Sequence, residues 1–182
     1  STAFSLNLIG GVAVATGISG LIGLVFIILF FSVGQPYGTL NDIFIGVTAL
    51  LSAILIWMLV PGFFSDAPLL SQVFRLAALV GVVLVLIGSF LAISGMKGWF
   101  LSGLYMAAGN GLIGLWLLRL SSAAFGENFL PQGLLIFGLI SGVVLVLGLV
   151  SVPGILRGVD SKEYNLTLFN SIWLTSSLVW LL

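Results

Sequence analysis

One carboxamide side chain stands out among the residues of this 182-residue chain that could do chemistry. Asn110 lies inside a long apolar stretch, between Gly109 and Gly111. An amide in hydrocarbon needs a hydrogen-bond partner, and a bond between helices contributes roughly 0.6 to 2 kcal/mol. We therefore expect Asn110 to bond to a neighbouring helix. The same group would also suit the lining of a polar cavity or the coordination of a pigment magnesium.

Two further polar side chains occupy apolar stretches. Asn170 is a candidate partner for Asn110, and Tyr105 lies in the same stretch as Asn110. If the chain encloses a pathway, we expect Asn110, Asn170 and Tyr105 to line it. Convergence of the three on a water-accessible cavity would indicate transport, whereas burial in dry contacts would indicate a packing role.

A second polar group lies where the second apolar stretch begins. Tyr37, Asn41 and Asp42 form a candidate polar cluster at the membrane surface. A carboxylate near the first turn of a helix is favoured by the helix dipole. Capping is therefore the expected role of Asp42, and a polar entrance formed by the three residues is the alternative.

The residue types that most catalytic sites use are missing from this sequence. It has no Cys and no His, which excludes disulfides, thiolate nucleophiles, cysteine-ligated metals and the usual proton shuttle. We expect no enzyme activity, no metal site and no required cofactor, and leave open a bound lipid, quinone or pigment. A membrane enzyme acting on lipids would need Asp42, Glu127 or Asp160 to gather at one surface.

Composition places the chain in a membrane. Hydrophobic residues make up 60% of it and charged residues 5%, against about 25% charged residues in soluble domains. Five basic and five acidic residues cancel, so no basic surface indicates nucleic acid. Residues 1–4 lack the basic region and cleavage motif of a signal peptide, and we expect none.

Six stretches are long and apolar enough to cross a bilayer, which takes about 20 residues in a helix. They are continuously apolar, unlike the alternating strands of a membrane barrel. We therefore predict an all-α integral membrane protein with six transmembrane helices, arranged as three consecutive antiparallel hairpins. The predicted spans are 7–33, 40–60, 70–94, 98–120, 129–152 and 163–182.

Turn and capping residues mark the ends of these spans. Thr39 offers a cap to the second helix. A proline followed by a glycine is expected to end the second and fifth helices, at residues 61–62 and 153–154. Asp160, with Glu163 three residues later, resembles a capping box for the sixth helix.

The sequence also suggests an internal repeat of about 61 residues. Three similar segments start with a glycine at that spacing, at Gly20, Gly81 and Gly142. One tryptophan lies near the end of each even-numbered helix, namely Trp57, Trp116 and Trp180. We predict a single membrane domain of three hairpin repeats, 1–62, 63–122 and 123–182, with each tryptophan at a membrane interface. Chance similarity between apolar helices is the alternative.

Small residues recur one helical turn apart and create faces suited to close packing. These faces are Ala13/Gly17, Ala77/Gly81, Gly103/Ala107/Gly111 and Gly138/Gly142. We expect most of them to pack within the chain, with packing against another subunit as the alternative.

These features favour a non-catalytic integral membrane subunit that packs against or scaffolds a larger membrane complex, respiratory or photosynthetic. The alternative is a small transporter or channel for a neutral or lipid-like solute. We expect membrane lipids and other membrane protein subunits as partners. The expected location is a bacterial inner membrane or a photosynthetic membrane.

Overall fold

The computed structural model describes residues 2–63, 68–125 and 131–160. Within these ranges every secondary-structure element is a helix. Five helical stretches are long and apolar enough to cross a membrane. For these residues, the prediction of an all-helical fold with several helices long and apolar enough to span a membrane is therefore confirmed. The predicted sixth span, and with it the complete third hairpin, lies outside the described residues.

The helices follow one another with short connections. Four crossings are single α-helices, namely α1 (Thr2–Val33), α2 (Tyr37–Phe63), α3 (Pro68–Ser94) and α4 (Trp99–Ala124). The fifth crossing has three parts, which are α5 (Gln132–Val146), a 3-10 segment (Leu147–Ser151) and the short α6 (Val152–Leu156). Residues 34–36, 95–98 and 157–160 therefore lie at one end of the bundle, which we call the Gly98 end.

Each helix packs mainly against its neighbours in the sequence. The interfaces join α1 to α2, α2 to α3, α3 to α4, and α4 to all three parts of the fifth crossing. Half of the most apolar window of α4 is buried, against 17 to 33% for the other spans. It also has the lowest mean hydropathy of the five, 1.4. The least apolar helix is thus also the most buried of the five, and it lies between α3 and the fifth crossing.

The start of α2 differs from the prediction. The helix begins at Tyr37, so Thr39 lies inside its first turn. The side-chain oxygen of Gln35 accepts hydrogen bonds of 3.3 Å from both the backbone N–H and the hydroxyl of Thr39. The capping role given to Thr39 is therefore wrong, because the longer Gln35 side chain reaches back to a donor of the first turn.

The two proline–glycine pairs do not end their helices. The helix α2 continues through Pro61 to Phe63, and the fifth crossing continues through Pro153 to Leu156. In lipid the backbone must satisfy its own hydrogen bonds, which favours continued helix. A proline ring excludes the α-helical bond to the carbonyl four residues earlier. The 3-10 segment immediately before α6 is consistent with the loss of this α-helical hydrogen bond at Pro153.

The hydrophobic core lies between α2, α3 and α4. Its buried members include Ile56, Val85 and Trp116. The predicted interfacial position of Trp116 is wrong, because its side chain is 5% exposed and belongs to this core. Trp57 is 63% exposed, and the guanidinium of Arg75 lies 5.2 Å from the centroid of its ring.

Small residues bring α3 and α4 into backbone contact. A Cβ atom added to Gly109 would overlap the carbonyl oxygen of Gly81, and one added to Gly81 would overlap that of Gly109. On the other side of α4, a Cβ on Gly111 would lie 2.8 Å from Cγ of Leu149. Among the described residues the predicted small-residue face is not continuously packed, since a Cβ on Gly103 would meet none of their atoms within 4 Å.

Candidate functional site

A cavity of about 520 Å³ lies in the middle of the bundle. Its walls come from α1, α2, α4 and α5, with Val85 of α3 contributing one side chain. Of the lining residues that the structure describes, most are apolar and none is charged; the hydroxyl and amide side chains are Thr16, Thr48, Ser52, Asn110 and Ser141. Its volume falls in the range of about 300 to 1,000 Å³ that is usual for small-molecule sites.

Asn110 reaches the cavity because of its position in α4. Successive residues of an α-helix point about 100° apart. Gly109 packs against α3 and Gly111 packs against the fifth crossing, so Asn110 points between these two interfaces. Among the described residues its carboxamide has no hydrogen-bond partner. The structure therefore places an amide that can both donate and accept in the middle part of α4, facing a cavity.

Three hydroxyl groups of the lining bond to their own helices. Thr16 donates to the carbonyl oxygen of Val12 at 2.8 Å, and Ser52 donates to that of Thr48 at 2.8 Å. Thr48 donates to the carbonyl oxygen of Phe44 at 2.7 Å. Such bonds one turn back are the usual way in which a hydroxyl is satisfied inside a helix.

The hydroxyl of Thr48 also joins α2 to α1. Its oxygen lies 2.9 Å from Oγ of Ser19, and both residues are buried. Ser141 differs from the other hydroxyl residues, since its side chain has no hydrogen bond to another described residue. Asn110 and Ser141 are thus the amide and the hydroxyl of the lining that have no hydrogen-bond partner among the described residues.

The other two predicted pathway residues are not brought to this cavity. Tyr105 packs against a cluster at the Gly98 end, formed by Phe100, Leu101 and Leu104. Ile155 of α6 packs against the same cluster. Asn170 lies outside the described residues. Of the three candidates, the structure therefore places Asn110 alone on the cavity wall within the part of the chain that it describes.

The predicted polar cluster of α2 is only partly assembled. Nδ2 of Asn41 donates to Oδ1 of Asp42 at 3.3 Å, and the backbone carbonyl oxygen of Asp42 accepts a hydrogen bond from Oγ of Ser89. The ring of Tyr37 instead stacks on Phe26 of α1, with 6.3 Å between the centroids. The capping role expected of Asp42 is wrong, because α2 begins five residues earlier.

The carboxylate of Asp160 contacts the start of α4. It accepts hydrogen bonds from the backbone N–H groups of Gly98, at 2.6 Å, and Leu101, at 3.3 Å. Asp160 therefore caps α4, and the predicted capping box of the sixth helix stays a prediction. Its partners in that prediction and in the lipid-enzyme alternative, Glu163 and Glu127, lie outside the described residues.

Within the described ranges, no three His, Cys, Asp or Glu side chains gather as metal ligands would. Trp116, which the sequence placed at an interface, lines the cavity, and its buried indole Nε1 has no acceptor among the described residues. Ser141 was missed because a single serine in an apolar helix carries no distinctive signal. Only its position next to Gly142 of the proposed repeat marks it.

Comparison of the chain with family models, with curated proteins and with solved structures finds no match. The function must therefore be argued from the site itself.

Proposed function

We propose that this chain is a multi-pass membrane protein that binds a neutral, lipid-like molecule in its central cavity. The observation that carries this proposal is the carboxamide of Asn110, which faces the cavity without a partner among the described residues. A polar group left unbonded in hydrocarbon is costly. A bound molecule with one hydrogen-bonding group would remove that cost.

The lining limits the chemistry of the bound molecule. Among the described residues no charged side chain lines the cavity, so none of them would neutralise an ion there. Apolar side chains such as Ile45, Leu55 and Ile113 form most of the wall and would contact an apolar body. Asn110 and Ser141 would then contact a hydroxyl, carbonyl or ester group. This combination describes an uncharged amphipathic molecule, a class that includes neutral lipids and quinones.

The first experiment identifies what the cavity holds. The full chain is purified from its native membrane in mild detergent, and molecules that remain bound are extracted and identified by mass spectrometry. We expect one neutral amphipathic species to be retained in a fixed ratio to the protein. Recovery of only the bulk lipids of the membrane, in bulk proportions, would contradict the proposal.

Two variants connect the retained molecule to the cavity. Asn110→Leu keeps the size of the side chain and removes the amide, and Gly17→Leu places a side chain in the cavity from α1. A Cβ on Gly17 meets no atom of the described residues within 4 Å, so the change fills space without a clash with them. Gly10→Leu is the matched control, because Gly10 is equally open but does not line the cavity. We expect the first two variants to lose the molecule and the control to keep it.

If the molecule crosses the membrane through this cavity, the chain is a small transporter or channel. Uptake of the identified molecule into vesicles containing the purified chain tests this form of the proposal. Uptake that Asn110→Leu abolishes would support it, and binding without uptake would restrict the function to binding.

A second candidate function is a non-catalytic subunit of a larger membrane complex, respiratory or photosynthetic. What favours it is the surface of α1, where a Cβ on Gly10 or Gly11 would meet no atom of the described residues and a partner helix could approach closely. The size of the particle in mild detergent tests it. Migration with other subunits would support it, and a small particle would contradict it.

Two finer features of the fold belong to these proposals. We propose that residues 163–182 form a sixth crossing and that the chain is a threefold repeat of hairpins. The equal spacing of Gly20, Gly81 and Gly142 supports the repeat, and the uncharged run after Glu163 supports the crossing. A bacterial inner membrane or a photosynthetic membrane is the proposed location.

A further inference from the structure

Three polar side chains of the cavity lining lie at one depth in the bundle, although they come from three different helices. They are Thr16 of α1, Ser52 of α2 and Asn110 of α4. The depth of each follows from contacts that align neighbouring antiparallel helices. Between α1 and α2, the hydroxyl oxygens of Ser19 and Thr48 lie 2.9 Å apart. Thr16, three residues before Ser19, is therefore level with the residue that precedes Ser52.

Contacts of Ser89 align α2 with α3. Its Oγ donates to the backbone carbonyl oxygen of Asp42, and a Cβ on Gly46 would lie 3.3 Å from the same Oγ. Ser89 is therefore level with the middle of this turn of α2, two residues after Asp42. Eight residues further along α2, Ser52 is level with Gly81, because the two helices run in opposite directions.

The close contact between α3 and α4 completes the alignment. Gly81 and Gly109 lie against each other, since a Cβ on either would overlap the carbonyl oxygen of the other. Asn110 follows Gly109 and therefore lies at the depth of Ser52 and Thr16. Each residue of a helix rises only 1.5 Å, so the three positions share this depth to within about 5 Å.

The hydroxyl protons of Thr16 and Ser52 are used within their own helices. Thr16 donates to the carbonyl oxygen of Val12 and Ser52 donates to that of Thr48, each at 2.8 Å. A carbonyl oxygen only accepts, so the hydroxyl supplies the proton of each bond. What each hydroxyl oxygen still offers to a molecule in the cavity is a lone pair. At this depth, α1 and α2 therefore contribute hydrogen-bond acceptors.

The carboxamide of Asn110 offers the complementary groups, because its Nδ2 carries two N–H donors. A hydroxyl group on a bound molecule matches this arrangement, since it has one proton to donate and two lone pairs. Its proton would go to Thr16 or Ser52, and its oxygen would accept from Asn110. The oxygen of a ketone, ester or ether carries no proton. Of these three side chains, such an oxygen can bond to Asn110 alone.

We infer that the molecule in the cavity is an alcohol, whose hydroxyl group lies between Asn110 and the hydroxyl oxygens of Thr16 and Ser52. This inference rests on the proposed function and narrows it, because the polar group that the site selects is a hydroxyl and not a carbonyl or ester. Specificity is a difference between two affinities. Thr16 and Ser52 determine it here, because an alcohol and an ether differ in their bonds to these two residues.

Two matched pairs of probes test this selectivity. Menthol and menthone are an alcohol and a ketone on one ring skeleton, and dodecanol and its methyl ether share one linear chain. Binding of each radiolabelled probe to the purified full chain is measured by equilibrium dialysis in mild detergent, with uptake by protein-free detergent subtracted. In at least one pair, we expect the alcohol to bind about fivefold more tightly than its partner, the effect of one additional hydrogen bond.

Variants assign the preference to named side chains. Thr16→Val and Ser52→Ala together remove both acceptors, and the two members of a pair should then bind equally. Asn110→Leu should weaken both members, since the oxygen of either accepts from the amide. Ser32→Ala is the matched control, because Ser32 makes the same type of bond, to the carbonyl oxygen of Ile28 at 3.0 Å. Ser32 is exposed and does not line the cavity, so this variant should keep the full preference.

The outcomes separate this inference from the proposed function. Equal binding within every pair that binds, or tighter binding of the ketone or ether, would overturn the inference and leave the proposed function intact. A preference for the alcohol that survives the double variant would also overturn it, because the selectivity would then come from other residues. Binding of no probe by the original chain would contradict the proposed function and the inference together.

Discussion

The carboxylate of Asp160 accepts a hydrogen bond of 2.6 Å from the backbone N–H of Gly98, 62 residues earlier in the chain. The first N–H groups of a helix have no partner within it. Asp160 satisfies two such groups at the start of α4 and joins the end of the fifth crossing to the central helix. This contact therefore fixes the Gly98 end of the bundle.

We expect Asp160→Ala to destabilise the chain by about 1 kcal/mol, the usual effect of removing a helix cap. Gly98→Ala should act on the same contact, because a Cβ at Gly98 would overlap the Asp160 carboxylate. Thermal unfolding in detergent measures both, with Arg157→Ala as an exposed control. The double variant should be little less stable than either single one, and additive losses would show that the two changes are independent.

We expect Gly109→Ala to be far more harmful than Gly103→Ala, although both lie in α4. The first places a methyl group against the carbonyl oxygen of Gly81, whereas the second meets open space. Overpacking of this kind typically costs about 1 to 3 kcal/mol. Unfolding of the two variants in increasing denaturing detergent gives the comparison. Equal stability would mean that α3 and α4 do not pack as closely as described.

Thr48→Val should weaken the contact between α1 and α2. The change keeps the shape of the side chain and removes the hydroxyl that contacts Ser19 at 2.9 Å. Hydrogen bonds between membrane helices contribute on average about 0.6 kcal/mol, so we expect a loss of that order. A double-mutant cycle with Ser19→Ala isolates the pair. A coupling energy near zero would mean that the hydroxyl of Thr48 stabilises the chain only through its hydrogen bond within α2.

Ser151→Ala should loosen the fifth crossing from α4. The hydroxyl of this buried residue lies 3.0 Å from the carbonyl oxygen of Leu104 and 2.7 Å from that of Gly148. We expect a loss of about 1 kcal/mol and faster hydrogen exchange in residues 147–156. The exposed Ser122→Ala in α4 serves as the control. Unchanged exchange in that segment would contradict the bond to Leu104.

The sequence alone predicted the helical spans well, because lipid imposes one simple requirement on them. Stretches of about 20 apolar residues must be helical in a membrane. The predicted ends at Val33 and Ser94 agree with the structure. The ends predicted from proline–glycine pairs did not agree with the structure. Pro61 and Pro153 each interrupt the helical hydrogen bonds, but lipid strongly favours a continued helix.

The candidate site could be predicted only for Asn110, which is conspicuous as an amide in an apolar stretch. The remainder of the lining consists of ordinary membrane residues such as Ser141 and Leu145, which meet only when four helices pack. The partners of Asp160 could not be predicted either, because they too meet it only when the helices pack. Its sequence neighbour Glu163 suggested a local cap, whereas the actual donors lie about 60 residues earlier.

The 3-10 segment of the fifth crossing has a consequence for angular register. It has about 3.0 residues per turn against 3.6 in an α-helix, so its five residues, Leu147–Ser151, overwind the crossing by about 100°. Residues three apart in such a segment eclipse one another, which stacks Ser151 over Gly148 on the side of α4. The overwinding thus rotates the last turn about the axis of the crossing. This rotation determines the direction from which Asp160 approaches Gly98.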